Sequence, residues 1–255
     1  MLTDLDKAVA RSGLEVIHLK GWRTRKSNGG EDYQGVLAHH TGSYDDLTDA
    51  KNDLDYAWWM ADIGRPDLGP PLCNLSLSAE LRVYLTAAGN ANHAGAARAS
   101  GPMPAAADGS RIYIGIEAMN SGSQGWDSKA TLPSGEVVTY FEGYARLCAS
   151  LCYFYGWTAS HVRAHKETSV TGKWDPGLLD MDAFRARIAA IIEQWKEEDD
   201  MPTPEEVAKA MLKQKINVKR RNGKTGEVKR VKVTVQQALQ EMFNNVTGAT
   251  GPVDD

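Results

Sequence analysis

No stretch of the 255-residue sequence approaches ~18 continuous apolar residues, so no helix is expected to cross a membrane. The N-terminus, MLTDLDKAVARSG, has no apolar core of signal-peptide length and carries acids early. Synthesis in a cytosol without a signal peptide is therefore expected. Cysteine is scarce: Cys73, Cys148 and Cys152 are an odd number without CxxC spacing, which argues against a disulfide framework and suits a reducing compartment. Cys148 and Cys152 stand one helical turn apart beside Leu147 and Leu151, the pattern of two small buried hydrophobes rather than of metal ligands. A large charge of either sign is also missing. The formal net charge of -4 gives no global pull toward nucleic acid or a membrane surface.

What is present is an ordinary globular composition, 42% apolar and 24% charged, in a chain long enough for one well-buried domain and a small appendage. Helices are predicted over residues 3–12, capped by Thr3 or Asp4, and over 45–62, capped by Ser43 or Asp45 with Leu47, Ala50, Leu54 and Trp58 in one stripe. Two more are predicted over 133–155 and after the cap Asp180, where Phe184, Ile188, Ile191, Ile192 and Trp195 recur at helical spacing. Strands are predicted over 14–19, 35–38, 111–119 and 162–164, with a hairpin over 72–77 and 81–85. In RIYIGIEAM, Ile112, Ile114 and Ile116 share one face while Tyr113, Gly115 and Glu117 share the other. Both faces are largely apolar, as in a central strand. The fold class expected is α/β, a mixed central sheet flanked by helices, with any cleft at the strand ends.

Residues 197–206 (EEDDMPTPEE) form an acidic, proline-punctuated run, read as a linker between a domain at 1–196 and a small region at 207–255. That region is predicted to hold helices over 204–213 and 235–246 and strands over 216–218 and 228–233 around an Asn222-Gly223 turn. From Lys209 to Lys232 the only acid is Glu227. The tail after Thr247 is expected to be disordered.

Several residues carry chemistry. His165 and Asp175 are ten positions apart and can meet only if the chain between them loops back, which TSVTG at 168–172 permits. Imidazole and carboxylate are a ligand pair that suits zinc. The apolar run at 35–38 ends in His39-His40-Thr41. Adjacent histidines on a strand point to opposite faces, so one of them at most is expected in a given pocket. Glu117, near the end of the central strand, is expected to be half buried, as either a salt-bridged structural acid or a functional one. Lys173 lies inside the His165–Asp175 loop, and AAGNANHAG places His93 among small residues that let backbone approach a ligand.

An apolar strand ending in His-His-Thr, a His-Ala-Gly loop, a Gly-Ile-Glu strand and a histidine followed by Lys-x-Asp-Pro-Gly occur here in that order. Over roughly residues 14–196 the chain resembles the zinc-dependent N-acetylmuramoyl-L-alanine amidases that share a fold with bacteriophage lysozyme-like amidases and animal peptidoglycan recognition proteins. The resemblance implies one Zn2+ held by His39, His165 and Asp175. It implies Glu117 as catalytic acid/base and Lys173 as catalytic lysine stabilising an oxyanion. His93 matches a histidine lining the substrate groove, and His40 is a further expected substrate contact. Where many relatives carry a histidine or tyrosine near the cleft, this chain has Cys73-Asn74; Asn74 is expected to hydrogen-bond substrate without shuttling a proton. The segments GRPDLGPPLCNL and AAGNANHAG look most like endolysins of phages infecting actinobacteria. The implied activity is cleavage of the amide between muramic acid and L-alanine by zinc-activated water. The implied partner is bacterial peptidoglycan, with no nucleic acid, no membrane insertion, a monomeric chain, and export to the wall through a separately made holin pore. The basic hairpin then reads either as an anchor on anionic wall polymers or as a solubilising exterior. Rival functions are a non-catalytic peptidoglycan-recognition module and a zinc peptidase cutting within the stem peptide.

Overall fold

In a computed structural model the chain is described at residues 1–42, 50–123, 125–201, 204–222 and 225–247. It divides into two compact units, Met1–Trp195 and Lys196–Asp255. The first contains α1 (Leu5–Ala10), β1 (Glu15–His18), β2 (Gly35–His40), α2 (Ala50–Trp58), β3 (Leu75–Leu77), β4 (Arg82–Leu85), β5 (Tyr113–Ala118), β6 (Lys129–Thr131), β7 (Val137–Thr139), α3 (Tyr140–Tyr155), β8 (Val162–Ala164), the single turn α4 (His165–Thr168) and α5, which begins at Met181 and runs to Asp200. The main sheet has the order β1-β4-β3-β5-β2-β8. Only β3 and β4 pair antiparallel; the other neighbours are parallel. It is a mixed central sheet with flanking helices.

The hydrophobic pattern explains the layering. Ile114 and Ile116 of β5 join Val36 and Ala38 of β2 in a core completed by Leu5, Tyr144, Leu147, Phe184 and Ile188 from the helices. The opposite side is built by Leu37 and Tyr113 with Ala94 and Met103, and by Tyr84 with Ala57 and Met60. Parallel strands buried on both faces read as near-continuous apolar runs, and all six residues of β2, including its histidines, are buried. Ile112 departs from the expected face. It precedes the strand with φ -112 and ψ -10, so its side chain joins Leu37 and Tyr113 instead of Ile114.

Two elements differ from expectation. The segment predicted as the start of a long helix at 133 forms the hairpin β6–β7, and α3 begins only at Tyr140. Val137, Val138 and Thr139 are β-branched and favour extended backbone, Gly135 supplies the turn at φ +87, and Thr139 caps α3 by accepting from the Glu142 N–H. The helix predicted to reach Asp62 passes into a π-helical turn, Trp59–Ile63, closed by Gly64 at φ +73. Its expected caps Ser43 and Asp45, and Leu47 of its stripe, lie outside the described residues.

The second unit begins at Lys196, one residue before the expected linker, whose Glu197–Asp200 continue the α5 helix. It contains α6 (Pro204–Lys213), β9 (Lys215–Arg221), β10 (Val228–Thr234) and α7 (Val235–Thr247). The strands pair antiparallel, with Val233 opposite Ile216, Val231 opposite Val218 and Arg230 opposite Lys219. Cross-strand partners share a face, so Ile216, Val218, Val231 and Val233 form an apolar face. Lys215, Lys219, Arg230 and Lys232, all exposed, lie on the other. The tail predicted to be disordered after Thr247 lies outside the described residues.

Candidate metal centre and cleft

Parallel strands β2, β5 and β8 end on the same edge of the sheet, and that edge carries the chemistry. The register sets His39 of β2 directly opposite Glu117 of β5, so both side chains fall on one face, while β8 delivers the chain into His165 at the start of α4. Tyr144 of α3 supports this edge from below: its hydroxyl accepts from the His39 N–H at 3.2 Å and lies 3.3 Å from the Ile116 carbonyl.

The 165–175 loop closes as its composition suggested, through a residue that sequence reasoning missed. The Lys166 N–H donates to the Asp175 carbonyl at 2.7 Å, and its ammonium donates to the carbonyls of Pro176 and Leu179 at 2.8 Å each. Gly177 completes the clamp. Its N–H donates to His40 Nδ1 at 2.9 Å, its carbonyl accepts from Trp126 Nε1 at 2.8 Å, and a Cβ there would lie 2.1 Å from the Trp174 ring. A lysine beside a histidine carries no distinctive spacing, so nothing in the sequence marks Lys166.

Closure brings Asp175 Oδ2 to 2.8 Å from His39 Nδ1 and 3.1 Å from His165 Nδ1. Among the described residues, His39, His165 and Asp175 form a group whose ligand atoms lie within 4.8 Å of one another, and these are the three residues expected as metal ligands. The other ring nitrogens also have partners. His165 Nε2 lies 3.1 Å from the Ala94 carbonyl, His39 Nε2 lies 3.1 Å from His93 Nδ1, and His93 Nε2 lies 3.3 Å from the Tyr113 carbonyl. A carbonyl oxygen only accepts, so the Ala94 and Tyr113 carbonyls favour a proton on each Nε2 they face. Burial lowers the His39 pKa to about 4, so its ring is neutral near pH 7. Asp175 Oδ2 can only accept, so the close Nδ1 contacts of His39 and His165 are hydrogen bonds donated to it. A cation at this point would take the place of those protons, leaving each Nδ1 lone pair to ligate and the ring proton on Nε2. Three converging donor atoms of one neutral, neutral and anionic set fit a divalent cation of the zinc type. Burial alone raises the Asp175 carboxyl, but the two imidazoles beside it hold it well below the usual carboxylate range.

A cleft of about 720 Å³ opens over this centre, within the size range of ligand sites. Glu117 and Lys173 line it, joined by Trp59, Arg65 and Trp174 on its rim. Glu117 Oε1 lies 3.9 Å from His39 Nδ1, while Oε2 is buried and has no hydrogen-bond partner among the described residues. Burial, then the charge of Asp175, pushes its pKa well above the ordinary value, against the opposing pull of Lys173 and Arg65. Arg65 was not singled out from the sequence; its guanidinium is forked on Asp67 at 2.9 and 2.7 Å, and no local motif signals its approach to Glu117.

The expected substrate contacts fare differently. Both rings of the His39-His40 pair border the cleft, although strand alternation predicted one, because β2 ends there and its two faces meet at the rim. His40 accepts from Gly177 and packs edge-on against Trp174, with ring centroids 4.4 Å apart. His93 lines the cleft but is buried and bonded as above. Asn74 requires correction. It is fully buried; its amide donates to Tyr33 Oη and to the carbonyls of Ala87 and Gly89, and its oxygen accepts from the Gly115 N–H. Its hydrogen-bonding capacity is spent holding the 87–89 loop to β5, so it does not reach the cleft.

Fold and donor set define a class: an α/β protein with a three-residue candidate metal centre at the ends of parallel strands, opposite a buried acid. The chain belongs to the N-acetylmuramoyl-L-alanine amidase family Amidase_2, whose profile matches residues 29–178. None of the curated proteins matches it. Among solved structures, the catalytic domain of XlyA is 20% identical with a TM-score of 0.45, covering 69% of this chain and 99% of its own. Wild-type Drosophila PGRP-LB is 15% identical with a TM-score of 0.42, covering 71% and 94%. An AmpD derivative is 14% identical with a TM-score of 0.40, covering 69% and 94%.

Proposed function

We propose that the chain is a zinc-dependent N-acetylmuramoyl-L-alanine amidase that hydrolyses the amide between the lactyl group of muramic acid and L-alanine in bacterial peptidoglycan. The observation that carries this reading is the convergence of two histidine Nδ1 atoms on one Asp175 oxygen, beside an acid with an unpartnered buried oxygen, in a member of the amidase family. His39, His165 and Asp175 would hold a zinc ion, which when bound would supply Lewis acidity to water and to the scissile carbonyl. Glu117, its proton affinity raised by burial, accepts a proton from the attacking water and returns it to the departing amine. Lys173, at the cleft wall, stabilises the negative charge that develops on the carbonyl oxygen. The phage-endolysin assignment rests on the sequence likeness of GRPDLGPPLCNL and AAGNANHAG.

The second unit fits the role of wall anchor. Lys219 and Arg230 face one another across the hairpin, a like-charge pairing that is unfavourable alone and is relieved by a polyanion. Charge reversal of both in the full chain is expected to weaken binding to whole walls while leaving turnover of soluble muropeptide unchanged.

The amidase reading is tested by mass spectrometry of digested peptidoglycan. Release of stem peptides with a free L-alanine N-terminus is expected, abolished by chelator and restored by zinc. Cuts between stem amino acids, or binding without cleavage, would overturn it in favour of a peptidase or a recognition module.

A further inference from the structure

We infer that His93 is a positioning residue for the metal centre, holding His39 in the tautomer that leaves Nδ1 free to ligate, and that its own orientation is set by the Tyr113 carbonyl and by Gly115. This deepens the proposed zinc reading and rests on it.

The relay is linear, and once a cation takes the place of the proton between His39 Nδ1 and Asp175 Oδ2 it has one permissive reading. The Tyr113 carbonyl can only accept, so His93 donates to it from Nε2, a contact of 3.3 Å. His93 Nδ1 is then an acceptor, and the His39 Nε2–H donates to it at 3.1 Å. The His39 Nδ1 lone pair is then left for the cation that Asp175 and His165 would share with it. The reverse arrangement, protons on both Nδ1 atoms, satisfies Asp175 when no cation is bound but sets a bare His93 Nε2 against the Tyr113 oxygen and blocks the ligating atom of His39. His165 reaches the same state independently, through the Ala94 carbonyl. One ligand is thus oriented by backbone directly and the other through an inserted imidazole.

The local structure is shaped around that imidazole. The His93 N–H donates to Ser110 Oγ at 3.2 Å, as does the Ala94 N–H at 3.0 Å, fixing the loop. A Cβ on Gly115 would lie 2.5 Å from His93 Cγ and Cδ2, so only glycine at this β5 position lets the ring lie flat on the strand. Tyr113 and Gly115 share a strand face with Glu117, which places acceptor, ring seat and acid in sequence along β5. His93 is buried and its two ring nitrogens are both engaged, a poor state for a substrate-contact histidine and a good one for an outer partner of a metal ligand.

The test compares zinc affinity, by chelator competition, in the full-length wild type, His93→Leu, His93→Asn and Gly115→Ala chains. Melting curves in chelator establish that each variant folds. His93→Leu, with no acceptor for the His39 Nε2–H, is expected to weaken zinc binding by about 10–100-fold. Asparagine places an oxygen near the position of Nδ1, so His93→Asn is expected to recover most of that loss. Gly115→Ala, which displaces the ring, should fall toward His93→Leu. In zinc-loaded wild type, the His39 ring is expected by nitrogen NMR to carry its proton on Nε2. Undiminished zinc affinity in folded His93→Leu, with only KM raised, would overturn the inference and return His93 to the substrate groove. A wild-type chain that takes up no zinc would instead overturn the metal reading on which it rests.

Discussion

Glu117→Gln separates catalysis from stability at one residue. The wild-type side chain sits in β5 opposite His39 and beside Ser76 of β3, with Oε2 buried and unpartnered among the described residues. An imperfectly paired buried polar group costs about 1–3 kcal/mol on mutational scales, and an ionised one sits at the upper end. Glutamine keeps the shape and removes the charge, at the expense of its own partly satisfied amide. The net gain expected for the metal-free chain is about 1–2 kcal/mol near neutral pH, or about 2–4 °C of melting temperature per kcal/mol. The folded-state pKa is raised above the unfolded value of about 4.3, so the folded chain holds this proton more tightly than the unfolded one. Wild-type stability therefore declines as pH rises from about 4.3 to the raised folded value. The advantage of glutamine is absent below this window and complete above it. Paired melting curves in chelator at acidic and neutral pH read the effect directly. Over the same substitution, turnover of muropeptide should fall by about 10²–10⁴ with zinc still bound. Opposite movements of stability and activity are the signature of a strained functional acid. Wild-type turnover would remove the base assignment, and destabilisation at neutral pH would show that native partners favour the carboxylate, refuting the burial argument.

Lys173→Ala should lower kcat by about 10²–10³ without changing zinc affinity or melting, because the side chain is exposed at the cleft wall; titration of zinc alongside steady-state kinetics checks both. Phe184→Ala should cost about 3–5 kcal/mol in denaturant unfolding, since this fully buried ring packs against Phe141 and Tyr144. Glu142 bridges Arg187 and Arg146 between α5 and α3, and the Arg187 bond first among its partners holds its carboxyl below the ordinary value. Its stabilisation is present above about pH 4.3 and lost as pH falls through the depressed folded value. Glu142→Gln should therefore lower the melting temperature at pH 7 and converge on wild type in acid.

Much of this protein was legible along the chain because the relevant signals are local. β5 was readable from RIYIGIEAM, and α5 from Asp180 and its apolar spacing. The misses have local causes too. The β6–β7 hairpin was absorbed into a helix because the apolar residues after 137 fit both periods, and only Gly135 and the β-branched run distinguish them. Asn74 was assigned by analogy of position, but its role depends on what its amide meets across three other segments, which no spacing encodes.

Sequence alone determined the chemistry available: two histidine-bearing strand ends, an acid on a central strand, and a lysine two residues before an aspartate. Residue type and strand alternation are sufficient for that, since a parallel sheet buried on both faces presents polar groups only where its strands end. Tertiary structure decided which of those groups meet and in what protonation geometry. The register of β2 on β5 sets His39 against Glu117, Lys166 draws the Asp175 loop closed, and two backbone carbonyls, of Ala94 and Tyr113, orient the imidazoles. Carbonyl groups are the same in every residue, so the partners that choose a histidine's tautomer leave no mark in the sequence and exist only once the chain has folded around them.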